Sequence, residues 1–376
     1  MALVGYKVVK LSTNDRGTRK EDDTGSLQSY CMLRVPSDLE FSNIISDLST
    51  SRTGQHTTMS DPASNKFDVD AKFDWENYMA QRPDYTASEF YDLVWAYHER
   101  HSDRYVLAHD VGTGPGNVTE VLAKRFERVI ASDPSQLHIK TAERRINQSS
   151  VIYKHCRAED LINAIDPNDL GQADLVTVAE CIPLMHAEQA MSVFGKLLRP
   201  GGTVAIWFYG RPIFAAKGQE KSQAIYDRLI GKAFERVLPM KGSPMARSLI
   251  TIASWLDVIP FPHEIWSDVE RIKWNNDRPI SFLDEQYFDF EVKYDSAVDP
   301  ADKIEERKDR NFWAKEDCGI EWVKGFINAQ WPWKTTDDDI GAQMEPMYEE
   351  LETAMGGKGS KTKIAWPVVL LLATRK

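Results

Sequence analysis

Between Tyr105 and Tyr209 the chain alternates short apolar runs with stretches whose apolar residues recur every three or four positions. "YVLAHDVG", "RVIASDPS", "VIYKHCRAEDL", "ADLVTVAE" and "TVAIWFYG" have the length and β-branched content of buried strands. "NVTEVLAKRF", "QLHIKTAERRI" and "AEQAMSVFGKLLRPGG" lie between them at helical spacing, the last with a glycine stop. Strand and helix in regular alternation predict a parallel sheet with helices on both faces. The fold class expected is α/β, Rossmann-like and doubly wound.

The flanks read differently. From Leu11 to about Lys66 the chain is rich in Ser, Thr, Asp and Asn, with scattered apolar residues such as Ile44 and Ile45. Such a segment buries little, so residues 1–66 are expected to be disordered or loosely docked, with a short strand at "YKVVKL" as the alternative. Aromatic density rises at Phe67, and Phe90, Leu93, Val94 and Tyr97 fall at helical spacing behind Ser88, an N-cap candidate. A folded domain is therefore expected over 67–376.

Composition narrows the partners. Hydrophobic content of 42% and charged content of 27% are those of a soluble globular chain, and no run approaches a membrane span. "MALVGYKVVK" lacks a signal-peptide core, so the expected location is cytoplasmic. A net charge of -11 opposes binding to nucleic acid. Cys31, Cys156, Cys181 and Cys318 are too widely spaced for a zinc or redox pair, and no metal is expected.

Ligands of such sheets bind at the carboxyl ends of the strands. After the first strand come Asp110, Gly112, Gly114 and Gly116, a spacing that permits tight turns and close approach of the backbone to a ligand. Asp133 ends the second strand, where a carboxylate can accept from both hydroxyls of a ribose. Ala158 is small enough to lie beside a purine, and Glu159 or Asp160 can accept from an exocyclic amine. A dinucleotide loop spaces its glycines so that a pyrophosphate sits on the helix N-terminus. Here the third glycine comes one residue early and Asp110 precedes the loop; a carboxylate there repels a pyrophosphate but suits an ammonium and a sulfonium. The loop matches S-adenosylmethionine better than a nicotinamide dinucleotide.

With these motifs the sequence resembles the class I S-adenosylmethionine-dependent methyltransferases, and among them the trans-aconitate methyltransferase group with its fungal relatives, over about residues 67–376. "DVGTGPG" is similar to the family's glycine motif and "ASDPS" to its ribose motif, while "TVAECIP" stands where the fourth strand meets the substrate. The resemblance implies cofactor contacts from Thr113, Pro134, Ala179 and Glu180 besides the residues above. "WENYMAQRPDY" is similar to the segment that closes over the cofactor, which implies cofactor roles for Tyr78 and Arg82 and a substrate contact from Tyr85. It also implies a seven-stranded sheet, mostly parallel, with "DVERIKW" the sixth strand and "KIAWPVVLLLATRK" an antiparallel seventh. The match fails where relatives carry His-Trp, for this chain has Pro183 and Leu184. His186 is the candidate catalytic residue in their place, or else a solvent-facing residue opening the next helix.

Helical insertions at about 211–268 and 275–339 are expected to form a lid, with Trp255, Trp266, Trp313, Trp322, Trp331 and Trp333 among their aromatic residues. The resemblance makes Arg310 and Trp313 substrate candidates; an arginine there suits a carboxylate, and a surface arginine without a role is the alternative. A carboxylate acceptor is ionised at neutral pH and needs no base, so O-methylation of a carboxylic acid is the first expectation. Transfer to another oxygen, to nitrogen or to sulfur is the second, and a protein that binds the cofactor without transfer the third. A nicotinamide oxidoreductase is the remaining rival. The expected partner is a small molecule, with the protein a monomer or homodimer and S-adenosylhomocysteine the product.

Overall fold

The computed structural model describes residues 75–83, 87–235, 241–330 and 338–376, all within a unit running from Ser60 to Lys376. The polar stretch 1–66, with the strand considered at "YKVVKL", lies outside the described residues. Two helices come first, α1 (Trp75–Gln81) and α2 (Ser88–Glu99). The alternating region then gives β1 (Leu107–Val111), α3 (Asn117–Leu122), β2 (Arg128–Asp133), α4 (Gln136–Arg145), β3 (Val151–His155), α5 (Leu161–Ala164), β4 (Ala173–Ala179), α6 (Ala187–Leu197) and β5 (Leu198–Tyr209). Beyond it lie β6 (Ile213–Phe214), α7 (Glu220–Phe234), α8 (Pro244–Ala253), β7 (Trp266–Trp274), β8 (Lys303–Arg307), β9 (Lys315–Cys318), α9 (Ile320–Gln330), α10 (Asp338–Met355), β10 (Thr362–Ala365) and β11 (Val368–Arg375).

Eight strands pair in the order β3-β2-β1-β4-β5-β11-β7-β8. β1 to β5 are mutually parallel, and β11 runs antiparallel to both β5 and β7. The expected Rossmann-like sheet with a reversed C-terminal strand is therefore present, and β8 extends it at the edge, parallel to β7. Both faces of the sheet are covered at its centre, which explains why β1, β2, β4, the body of β5 and β11 are buried almost end to end. Along β11, Val368, Leu370 and Leu372 enter one core while Val369, Leu371 and Ala373 enter the other. The first core is shared with α2, α7, α9 and α10, the second with α6 and α8.

Three boundaries depart from the sequence reading. Ser88 is the first helical residue of α2 rather than its cap; Ala87 holds the cap position without a side-chain bond. The helix expected to run through "LLRPGG" stops at Leu197, and "LRPGG" opens β5. Leu198 pairs with Ala173, then the register shifts so that Thr203 faces Leu175, and Gly201 takes φ +79° in that irregular stretch. The C-terminal strand is two strands, because Pro367, which has no N–H to give a ladder, separates β10 from β11. β10 joins β6 and β9 in a separate antiparallel sheet.

One buried group makes the fold acid-sensitive. His109, at the centre of β1, is fully buried, and neither ring nitrogen has a hydrogen-bond partner among the described residues. Burial pushes its imidazole down from 6.5 to about 4. The unfolded chain takes up a proton first as pH falls, so the stability tied to this group is complete above pH 6.5 and is lost progressively down to about 4. His109→Leu should flatten that part of the stability–pH curve in urea titrations between pH 7 and 4 and leave the neutral-pH value equal or higher. An unchanged acid limb would assign the pH dependence to other groups. No described helix is long and apolar enough to cross a membrane.

Candidate cofactor and acceptor site

After Val111 the chain has to turn within a few residues to begin α3, and glycines allow it. Gly112, Gly114 and Gly116 have φ of +73°, +52° and +92°, a region that L side chains seldom adopt. A Cβ on Gly112 would lie 2.4 Å from Cys181 Sγ, whereas nothing lies within 4 Å of where a Cβ on Gly114 would be. The loop is thus pressed against the residue that follows Glu180 on one side and open on another. Gly112 and Thr113 donate backbone N–H to Ser132 O at 2.8 and 2.9 Å, tying the loop to β2.

Asp133 completes that tie. Its Oδ2 accepts from Gly114 N at 2.9 Å, and its Oδ1 accepts from Ser135 N at 2.8 Å and lies 3.0 Å from His138 Nδ1. The carboxylate expected to read a ribose therefore also shapes the glycine loop. Asp110 is placed differently from the ammonium contact suggested by its position. It is 1% exposed, Oδ2 accepts from Thr119 Oγ1 at 2.6 Å and Oδ1 from Thr177 Oγ1 at 3.1 Å. Thr119 in turn lies 2.7 Å from Thr113 Oγ1. Asp110 clamps β1, α3 and β4 beneath the loop, and burial raises its pKa against the pull of those hydroxyls.

On the β3 side, Ala158 is buried in a single 3-10 turn, Ala158–Asp160. Pro134 O accepts from His155 Nε2 at 2.9 Å. Glu159 Oε1 accepts from His186 N at 2.9 Å and Oε2 lies 3.5 Å from Arg157 Nε. Burial alone would raise the Glu159 pKa, but the His186 N–H and Arg157 outweigh it and hold the group below the usual carboxylate range. His186 is exposed at the cap of α6, its Nδ1 3.3 Å from Arg247 Nη1. The structure thus joins His186 to Glu159 and to α8 rather than to the carboxyl end of β5. Pro183 is buried in the 3-10 turn Ile182–Leu184, and its carbonyl accepts from Ser248 Oγ at 2.8 Å.

β4 and β5 meet in a tighter cluster. Ala179 ends β4, and Glu180 follows at φ +62° with its N–H on Trp207 O. Glu180 Oε1 accepts from Tyr209 N at 2.7 Å. Burial raises the Glu180 pKa well above the usual carboxylate range, although the Tyr209 N–H and Arg82 oppose it. Arg82 Nη1 donates to Tyr209 Oη at 2.5 Å and Nη2 to Ala329 O at 3.1 Å, with the guanidinium 4.5 Å from the Tyr78 ring centre. Trp75 of α1 meets His138 edge to face at 5.1 Å. The segment expected to close over a cofactor therefore spans from the partner of Asp133 to the end of β5. Cys181 reports the electrostatics at the centre: burial and the charges of Asp133, Asp110 and Glu180 all push its thiol up.

Arg310 is held by Asp277, its Nη2 2.9 Å from both carboxylate oxygens. Trp313 is 7% exposed, 4.7 Å from the Phe90 ring and 6.2 Å from that of Tyr209. It stands behind Tyr209 in the core, apart from Arg310's ion pair. Tyr85 lies outside the described residues, as do Trp331 and Trp333. Sequence reasoning missed Tyr209, Thr119, Thr177 and His138. Tyr209 was within reach, since it is the last residue of the fifth apolar run; the others show no signal before the fold brings them to the loop.

A family model described as a methyltransferase domain matches residues 108–202. Methyltransferase ptaI of Pestalotiopsis fici is 39% identical, over 80% of this chain and 93% of that protein. Methyltransferase cfoB of Aspergillus candidus is 42% identical, over 81% and 95%. Methyltransferase pgmE of Aspergillus terreus is 40% identical, over 80% and 93%.

Proposed function

We propose that this chain, which belongs to the methyltransferases, takes its methyl group from S-adenosylmethionine and transfers it to an oxygen atom of a small organic molecule. The observation that carries the cofactor reading is a glycine loop open at Gly114 and tied through that residue's N–H to the Asp133 carboxylate at the end of β2. A carboxylate beside such a loop suits a ligand bearing ribose hydroxyls and opposes a pyrophosphate.

In this reading the backbone of Gly112, Thr113, Gly114 and Gly116 bounds the methionine side, with Asp110 keeping the loop in shape from below. Asp133 takes the ribose hydroxyls, with Pro134 and Ala158 beside the adenine and Glu159 fixing the turn that carries Ala158. Tyr78 and Arg82 close the site from α1, while Ala179 and Glu180 face the reacting centre. Bound S-adenosylmethionine supplies an electrophilic methyl group. What the chain adds is position, because the acceptor oxygen has to lie ~3 Å from that carbon and opposite the sulfur. The described parts of the two segments after β5 cover this end of the sheet in this reading, with Trp313 backing the acceptor pocket behind Tyr209.

A hydroxyl is the acceptor that the geometry supports best. Arg310, the guanidinium that a carboxylate acceptor was expected to pair with, is already neutralised by Asp277. The carboxylic acid remains the second reading, favoured by the Arg82 guanidinium above Tyr78 and Tyr209. Incubation with methyl-labelled S-adenosylmethionine and a small-molecule extract of the source cells, followed by mild base, separates the two. Base-stable label is the result expected for an ether, and release of labelled methanol would establish the ester.

A further inference from the structure

Glu180 holds a backbone conformation, φ +62°, that a glycine would adopt freely and that strains other residues. Nothing in the β4–β5 pairing needs a glutamate there, since the bond to Trp207 O uses only its N–H. The side chain is folded back over the end of β5 and fixed by one oxygen, Oε1, on Tyr209 N–H. Oε2 has no hydrogen-bond partner among the described residues. A strained position, a carboxylate anchored by one oxygen and a second oxygen left open together mark a group kept for use.

The other ionisable groups around it are committed. Asp110 and Asp133 each have both oxygens engaged. Arg82, facing Glu180 from the α1 side, donates to Tyr209 Oη and Ala329 O. From β5 the Tyr209 phenol, and on its own segment the Cys181 thiol, are both pushed up by burial and stay neutral at pH 7. Tyr78 presents its ring to Arg82. His186 is turned to Arg247. Glu180 follows the last residue of β4, at the carboxyl end of the sheet where ligands of such folds bind, and among these groups it is the one with an oxygen left to handle a proton.

We propose that Glu180 is a catalytic residue whose Oε2 accepts the proton of a hydroxyl acceptor during methyl transfer. The inference rests on the hydroxyl reading above. The O–H bond of the acceptor breaks and its proton passes to Oε2. The freed electron pair on oxygen forms the O–CH3 bond, and the pair of the S–CH3 bond returns to sulfur, leaving a neutral thioether. Glu180 gives its proton to solvent as the product leaves. The raised pKa of this carboxyl brings its basicity closer to that of a weakly acidic hydroxyl.

The test compares wild type with Glu180→Gln, Glu180→Asp and Glu180→Gly, using methyl-labelled S-adenosylmethionine and the source-cell extract. Glu180→Gln preserves the acceptor for Tyr209 N–H but cannot take a proton. It should lose base-stable labelling by about 100-fold or more while S-adenosylhomocysteine affinity by calorimetry stays within about threefold and the melting point is unchanged. The wild-type rate should climb with pH to a plateau, a limb that the glutamine variant lacks. A protonated-carboxyl infrared band missing in Glu180→Gln should titrate along that limb. Glu180→Gly should melt higher and label as poorly as the glutamine variant, whereas a merely structural glutamate predicts a lower melting point; Glu180→Asp should recover part of the rate. Labelling by Glu180→Gln within about threefold of wild type overturns the proposal alone. A wild type that binds S-adenosylhomocysteine and labels nothing overturns the methyl-transfer reading and the proposal with it.

Discussion

Asp302→Ala is expected to destabilise the protein by about 3–5 kcal/mol, as removal of one partner of a buried ion pair does. Arg271 of β7 is fully buried, and its Nε donates to Asp302 Oδ2 at 2.7 Å, the aspartate side chain being 4% exposed. Its Nη1 and Nη2 donate to Leu256 O and Ile259 O at 3.4 and 3.2 Å. Asp257 lies 4.0 Å away and neutralises part of the orphaned charge, which favours the lower end of the range. The cost comes from the guanidinium left behind rather than from the lost attraction. The double variant Arg271→Met with Asp302→Leu should therefore regain most of the stability in urea unfolding. Additive losses in the double variant would mean that the pair contributes through its attraction instead. The site should be unaffected, because this pair ties β7 to the segment before β8, far along the sheet order from β1 and β2.

The second large effect falls on the site. Asp133→Ala should weaken binding of S-adenosylhomocysteine by about 2–3 kcal/mol, roughly 30- to 150-fold. An ionised carboxylate offers about four acceptor positions. Three are occupied here, by Gly114 N, Ser135 N and His138. One ribose hydroxyl fits without change and the second requires His138 to yield, so Asp133→Ala removes a loop support and a ligand contact together. Unchanged affinity in calorimetry would remove Asp133 from the ribose role and reduce it to a scaffold for the loop.

The parts of the fold that were legible are those in which one local rule decides the outcome. β1, β2, β4 and the body of β5 are legible because strands covered on both faces are buried throughout, and β11 is legible for the same reason. β8 is not: "KIEER" carries four charges in five residues, and it is a strand only because β7 offers it an edge. β6 and β9 are too short to signal themselves, and β10 was merged with β11 until Pro367 divided them between two sheets.

In the site, the glycines and Asp133 were visible because their spacing is set by the turn and the strand. Asp110 was visible as an acid, but not its burial, which depends on Thr119 and Thr177 arriving from α3 and β4. Arg310 looked available for a substrate because Asp277, 33 positions earlier, gives no sign in sequence that it will pair with it. Glu180 was legible as a residue after a strand. Its strained backbone and open oxygen depend on β5 and belong to the fold alone.

The most direct test of the account is a calorimetric titration of the full chain with S-adenosylhomocysteine and, separately, with NAD. The open glycine loop and the Asp133 carboxylate tied to it predict saturable binding of S-adenosylhomocysteine at one site per chain, weakened in Asp133→Ala, and no binding of NAD. Saturable binding of NAD with none of S-adenosylhomocysteine would contradict it.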